Sequence, residues 1–243
     1  PTETPVPPTE TPIPPTPTLE PTPTFTETPT EVPTDTPTST PTEVPTETPV
    51  PGPVSYSDDF SESNGNWEDC TVCEWTNGML FFGPYPPANS YEAYATYCTS
   101  CGSPTYFRMS VDVQWFEGQT DRLFGLVFND NDDEMFAWGI STIQIYIVYH
   151  LEKQFDNIDY GQADWSGLAK AGTAINTIGV EVIPTDPGYG NIFLKLNGKN
   201  ALILYNKPVS PGKVGLLLDM HSIGAAYDNF EFEEIWPDWV EQP

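Results

Sequence analysis

The chain has 243 residues, with 35 Asp and Glu against 8 Lys and Arg, for a formal net charge of −27. A surface this acidic repels phosphate backbones and anionic headgroups, which argues against nucleic acid and direct membrane adhesion. No apolar run approaches the ~20 residues that span a bilayer, so no membrane insertion is expected.

The first 53 residues hold 18 Pro, 18 Thr, eight acids and no basic residue. Two seven-residue units, PTETPVP and PTETPIP, fill residues 1–14. From Pro21 the period is four: Pro recurs at 21, 29, 33, 37, 41, 45, 49 and 53, with Phe25 in the one missing place. Proline fixes φ and disfavours helix at the residue before it, and the segment has too little apolar area to fold alone. Residues 1–53 are therefore read as an extended, polyproline II-like stalk, about 160 Å long at ~3.1 Å per residue. A Thr-rich tract with Pro is the compositional sign of O-glycosylation. The expected acceptors are Thr22, Thr24, Thr26, Thr28, Thr30, Thr34, Thr36, Thr38, Thr40, Thr42, Thr46 and Thr48. A plain flexible linker is the alternative. The start at Pro1, with no Met and no leader, reads as a mature chain or a fragment.

Residues 54–236 hold all four Cys and all eight basic residues and are read as one globular domain, followed by a tail at 237–243. Short apolar-aromatic runs follow one another here: Gly78–Phe82, Tyr106–Phe116, Leu123–Phe128, Met135–Trp138, Ile143–Tyr149, Thr177–Ile183, Ile192–Leu196, Val214–Leu218 and Tyr227–Phe232. Alternation and β-branched or aromatic enrichment predict strands, and no window carries a helical stripe. Asn197-Gly198 between two runs is a type I′ hairpin signal. The expectation is all-β: an antiparallel two-sheet sandwich.

Several framework motifs then carry a resemblance. They are Asp59-Phe60 with Trp67, Gly125–Phe128, the acidic turn Asn129–Glu134, Trp138–Ser141, Leu194–Gly198, Val214–Leu216 and Tyr227–Phe230. In this order they resemble the concanavalin A-like lectin/glucanase jelly roll of secreted bacterial proteins, over residues 55–235. The Pro/Thr tetrads resemble those of sugar-coated extracellular fibrils. The resemblance implies a jelly-roll fold and a place outside the cell, at the surface, and leaves the activity open.

Glucanases of that superfamily carry Glu-x-Asp-x-x-Glu on one strand, so that acid and nucleophile flank the scissile bond. The pattern does not occur here, and Glu231 and Glu233, alternating on the last strand, are expected to face solvent. His150 and His221 have no Ser, Cys or carboxylate signature beside them. No catalytic residue is expected.

The cysteines form Cys70-x-x-Cys73 and Cys98-x-x-Cys101. Zinc and redox readings exist for such spacing, but an oxidising compartment favours two disulfides. Cross-strand pairing, 70 with 101 and 73 with 98, suits two antiparallel strands, although sequence leaves three connectivities open. No cofactor is required. The resemblance implies a structural Ca²⁺ where the first and last strands meet, with Asp59 and Asp228 as ligands; Asn129–Glu134 offers oxygens too but reads as a hairpin turn. Trp115, Trp138 and Trp165 are the candidates for stacking on sugar rings, and most aromatics at strand spacing are core.

Three functions compete: a structural subunit of a fibre or surface layer, a carbohydrate-binding module on a linker, and a degenerate glycoside hydrolase. The first is the leading expectation. In it, copies self-associate into a filament, because a contact that does not close on itself propagates. Val6, Ile13, Leu19, Phe25, Val32, Val44 and Val50 would anchor each stalk on neighbouring domains.

Overall fold

The computed structural model describes residues 52–84, 93–152, 157–164, 167–218 and 223–239. The chain divides after Glu47, and the fold described is that of the second unit. The stalk threonines and apolar anchors, Trp165, His221 and the last four residues lie outside the described residues.

The strands form two antiparallel sheets, as the alternation predicts. The eight-stranded sheet runs β12 (Lys199–Pro208), β11 (Tyr189–Leu196), β10 (Asn176–Asp186), β5 (Phe107–Gly118), β14 (Ile223–Glu234), β3 (Met79–Phe82) and β2 (Cys73–Thr76), while β1 (Ser55–Asp58) pairs with the second half of β14. The six-stranded sheet runs β4 (Tyr94–Tyr97), β13 (Lys213–Leu218), β6 (Phe124–Asp130), β7 (Glu134–Ile140), β8 (Tyr146–Glu152) and β9 (Asn157–Asp164). The one helical element among the described residues is a 3-10 turn, Thr99–Cys101.

Period-two burial shows how the sequence selects this arrangement. On β5, Phe107, Met109, Val111 and Val113 are buried while Arg108, Ser110 and Asp112 point the other way. Phe124, Leu126 and Phe128 of β6 and Phe136, Trp138 and Ile140 of β7 meet them from the opposite sheet. Phe128 stacks on Phe136 at 5.2 Å and 13°, and Phe107 meets Phe128 edge-on at 6.2 Å. Removing one such side chain to Ala costs about 3–5 kcal/mol. Asn197 and Gly198 are the two residues between β11 and β12, with φ of 50° and 77°, as a type I′ turn requires.

Two polar devices tie the layers. Tyr227 of β14 is wholly buried, and its hydroxyl crosses to the other sheet, donating to Leu217 O at 2.6 Å and accepting from Gly125 N at 3.2 Å. Burial pushes its phenol far above the ordinary range. Asp58, also buried, accepts from Trp67 Nε1 at 2.9 Å, Asn64 Nδ2 at 2.9 Å, Tyr56 Oη at 2.5 Å and Phe60 N at 2.8 Å.

All four cysteines are in disulfides, but the connectivity is local: Cys70–Cys73 and Cys98–Cys101. The cross-strand pairing is corrected. Each pair closes its own turn, the second around the 3-10 turn, and the Cα separations of 5.3 and 5.4 Å already suit a bridge.

Candidate functional site

Trp138 is a core residue and not the stacking platform expected of it. Its parity with Phe136 and Ile140 puts it in the core at 0% exposure, so it has no ring face to offer a ligand. Trp115 is half-buried against the same core, and its Nε1 is enclosed without a hydrogen-bond partner. Glu231 and Glu233 are exposed on the outer face of the eight-stranded sheet. The sequence shows no carboxylate next to His150, but the β7–β8 pairing supplies one: Nε2 lies 3.1 Å from Glu134 Oε2, and the ring stacks on Phe136 at 4.0 Å.

Asp59 and Asp228 come within electrostatic reach of each other. Asp228 is held above the ordinary carboxylate range by partial burial and by the charges of Asp112 and Asp59, although a bond from Asn229 N opposes the shift. Among the described residues no group of three or more His, Cys, Asp or Glu converges to hold a metal ion. The Asn129–Glu134 segment is a hairpin turn. Asn131 Oδ1 accepts from Asp133 N and Glu134 N, and Asn129 Nδ2 donates to Ser210 O at 2.7 Å.

The outward face of the six-stranded sheet is small and apolar: Val127, Ala137 and Leu217, ringed by Ala95, Tyr97, Met135 and Tyr149. The central three are buried, and at the cluster's edge the Tyr97 hydroxyl donates to the Asp130 carboxylate.

The outer face of the eight-stranded sheet carries two grooves. The first, about 510 Å³, lies across β1, β14, β5, β10 and β11. Two of its three glutamates are paired within it: Arg108 lies 3.3 Å from Glu233 and 3.8 Å from Glu181, and Lys195 bonds Glu181 at 2.6 Å. A smaller depression, about 60 Å³, sits over Asp112 and Asp228, which are directly opposed on β5 and β14.

The second groove, about 780 Å³, lies at the β2–β3 end. Its key residue, Phe116, was missed by the sequence reading. On β5, Trp115 pairs with Ala225 and Glu117 with Gly224, so Phe116 is the extra residue of a β-bulge. Bulges re-aim a side chain, and this one leaves Phe116 37% exposed. Its ring lies directly against Gly224, where a Cβ would fall 2.4 Å from Cε1. Phe81 meets it edge-on at 5.2 Å and 85°. Exposed Glu74, opposite Phe81 across β2–β3, and exposed Glu117 flank the rings, with Thr76 and Asn77 on the same wall. The sequence signal was faint: two adjacent aromatics, Trp115 and Phe116, cannot share one face of a regular strand.

Solved structures with a similar fold include the carbohydrate-binding module CBM66 from Bacillus subtilis, with a TM-score of 0.50 and 12% identity over 70% of this chain and 96% of that one. A beta-1,3-1,4-glucanase (lichenase) derived from a mouse hindgut metagenome gives 0.53 and 12% over 75% and 100%. The Bacillus licheniformis beta-glucanase gives 0.52 and 11% over 75% and 99%. The fold is the concanavalin A-like jelly roll that these share. No family model and no curated protein sequence matches the chain. Among the described residues no helix is long and apolar enough to cross a membrane.

Proposed function

We propose that this chain is a non-catalytic extracellular module that binds carbohydrate through its jelly roll and is carried on an O-glycosylated Thr/Pro stalk. The observation that carries the proposal is the Phe116 ring, bulged out of β5, seated on Gly224 and left open to solvent. Aromatic faces held in this way stack on sugar rings, with neighbouring polar groups fixing the hydroxyls. The fold supports the reading, since similar structures include a carbohydrate-binding module. Two disulfides agree with an oxidising compartment.

Three features speak against hydrolysis. The opposed Asp112 and Asp228 stand over a depression of about 60 Å³, whereas ligand sites run to about 300–1,000 Å³. Glu233 is engaged with Arg108. The Glu-x-Asp-x-x-Glu pattern is missing from the sequence.

The test is a panel of insoluble polysaccharides with the full chain. The expected outcome is retention on at least one of them with no release of reducing sugar. Sustained release that is lost in Asp228→Asn or Glu231→Gln would overturn the non-catalytic reading, and no retention on any member would overturn the binding reading.

The four-residue Pro period of residues 21–53 favours a second reading, a fibre subunit held together through its stalk. Negative-stain imaging of natively modified full chain tests it: filaments are expected, and discrete particles at all concentrations would sink it. Intact mass tests the sugars on Thr22–Thr48, and a bare polypeptide mass would remove them.

A further inference from the structure

We infer that the Phe81–Phe116 groove takes a glycan bearing free amino groups, a chain of 2-amino-2-deoxyhexose, in preference to neutral or uronic chains. The inference rests on the carbohydrate-binding reading and adds to it the chemical class of ligand.

Three structural choices hold one phenyl ring at the surface. A bulge turns it outward, a glycine beneath lets it lie on the backbone, and Phe81 supports its edge. The ring is turned away from the core between the sheets. A ring fixed before the ligand arrives loses little freedom on binding. The groove volume of about 780 Å³ falls in the range of ligand sites, about 300–1,000 Å³, and admits a short run of sugar rings.

The charges choose among sugars. Glu74 and Glu117 are exposed on either side of the rings, and no Lys or Arg lines the groove among the described residues. In the neighbouring groove, by contrast, every glutamate but Glu231 has a cation within 4 Å. A uronic chain would bring carboxylates against two carboxylates in a molecule of net charge −27. An ammonium on the sugar's C2 offers the missing partner. Thr76 and Asn77 supply a hydroxyl and an amide for the remaining ring hydroxyls.

The probes are the hexamers of glucosamine, N-acetylglucosamine and galacturonate, titrated calorimetrically into the full chain at low salt. The expected order is glucosamine about tenfold tighter than N-acetylglucosamine, as two exposed ion pairs supply, with no galacturonate binding. Glu74→Gln with Glu117→Gln should abolish the tenfold preference, and Phe116→Ala should weaken both hexosamine ligands at least tenfold. The acidic chain as a whole attracts polycations, so the glutamine variant is decisive. It lowers the net charge only from −27 to −25, and a preference that survives it belongs to the general field and overturns the inference. Wild type that binds a glycan of the panel while Phe116→Ala binds it equally well also removes the groove, and leaves carbohydrate binding standing elsewhere. Wild type that binds no glycan at all fails the reading itself and the inference with it.

Discussion

The two grooves of the eight-stranded sheet share a face and differ in how their charges are disposed. In the first, Arg108 and Lys195 neutralise Glu181 and Glu233, and the floor is opened by Gly179, where a Cβ would lie 3.1 Å from Met109 O. In the second, Glu74 and Glu117 have no cation in the wall, and the glycine seats an aromatic ring instead of opening a floor. A groove whose ion pairs are closed among themselves presents an incoming ligand with partners already engaged, and breaking them costs what the new contacts gain; only Glu231 is left without a cation in the first. The second groove has ring surface and both of its carboxylates left over. Volume does not separate the two; disposition of charge does.

The largest effects should fall on what supports each groove. Tyr56 lines the first and donates to Asp58, which also receives Trp67 Nε1 and Phe60 N. Asp58→Ala leaves those donors without an acceptor and should cost about 3 kcal/mol in urea unfolding. A loss below ~1 kcal/mol would mean that water replaces the carboxylate. Cys73 lines the second groove. Its disulfide closes a four-residue loop, so Cys70→Ser with Cys73→Ser should cost about 2 kcal/mol by loop entropy, against about 4 kcal/mol for a 70–101 bridge. Non-reducing peptide mapping checks the connectivity directly.

Gly224→Ala against Gly179→Ala isolates the ring. A methyl on Gly224 would fall 2.4 Å from Phe116 Cε1 and force the ring off its seat. Glycan retention should fall about tenfold, or ~1.4 kcal/mol. Gly179→Ala should leave retention unchanged. Equal effects from the two variants would show that binding does not distinguish the grooves.

Alkaline pH acts on the first groove. Burial, then the bond to Asp58, pushes the Tyr56 phenol up from 10.0 to about 12. A phenol raised on folding holds its proton more tightly when folded, so the stability it carries is whole below pH 10 and drains as pH rises towards about 12. Wild type should therefore lose Tm across that window, and Tyr56→Phe should lose less. Glycan retention measured below pH 10 should not change with this variant.

How much of this was legible depended on whether the signal was local. Strand alternation, the Asn197-Gly198 turn and the framework motifs are short-range patterns, and they gave the two-sheet fold. Trp138 was legible in principle, because Phe136, Trp138 and Ile140 share a parity opposed by Ala137 and Gly139, but tryptophan's chemistry suggests a ligand as readily as a core. Cysteine spacing carries no information on partners, since both a closed turn and a strand pair satisfy it. Phe116 was out of reach. Its role needs Gly224 beneath it and Phe81 beside it, and that meeting is created by the β3–β14–β5 pairing, which no local window contains.

The smallest expected effect is the one that tests the contrast most directly. Arg108 bridges Glu181 and Glu233 on a surface where its side chain is 52% exposed and Glu233's is 60% exposed. Such pairs gain little over hydration, so Arg108→Ala should change stability by no more than about 0.5 kcal/mol. It should, however, release Glu233, which joins Glu231 as a carboxylate without a cation in the first groove, while Lys195 keeps Glu181. If free carboxylates suffice for binding amino sugars, the variant should acquire that binding. If an aromatic platform is also needed, it should not, because the residues between these charges are Ser110, Thr177 and Gly179, none of them aromatic. The expectation is no gain in glucosamine hexamer affinity at low salt. A gain approaching that of the second groove would show that charge alone selects the ligand and that Phe116 is incidental.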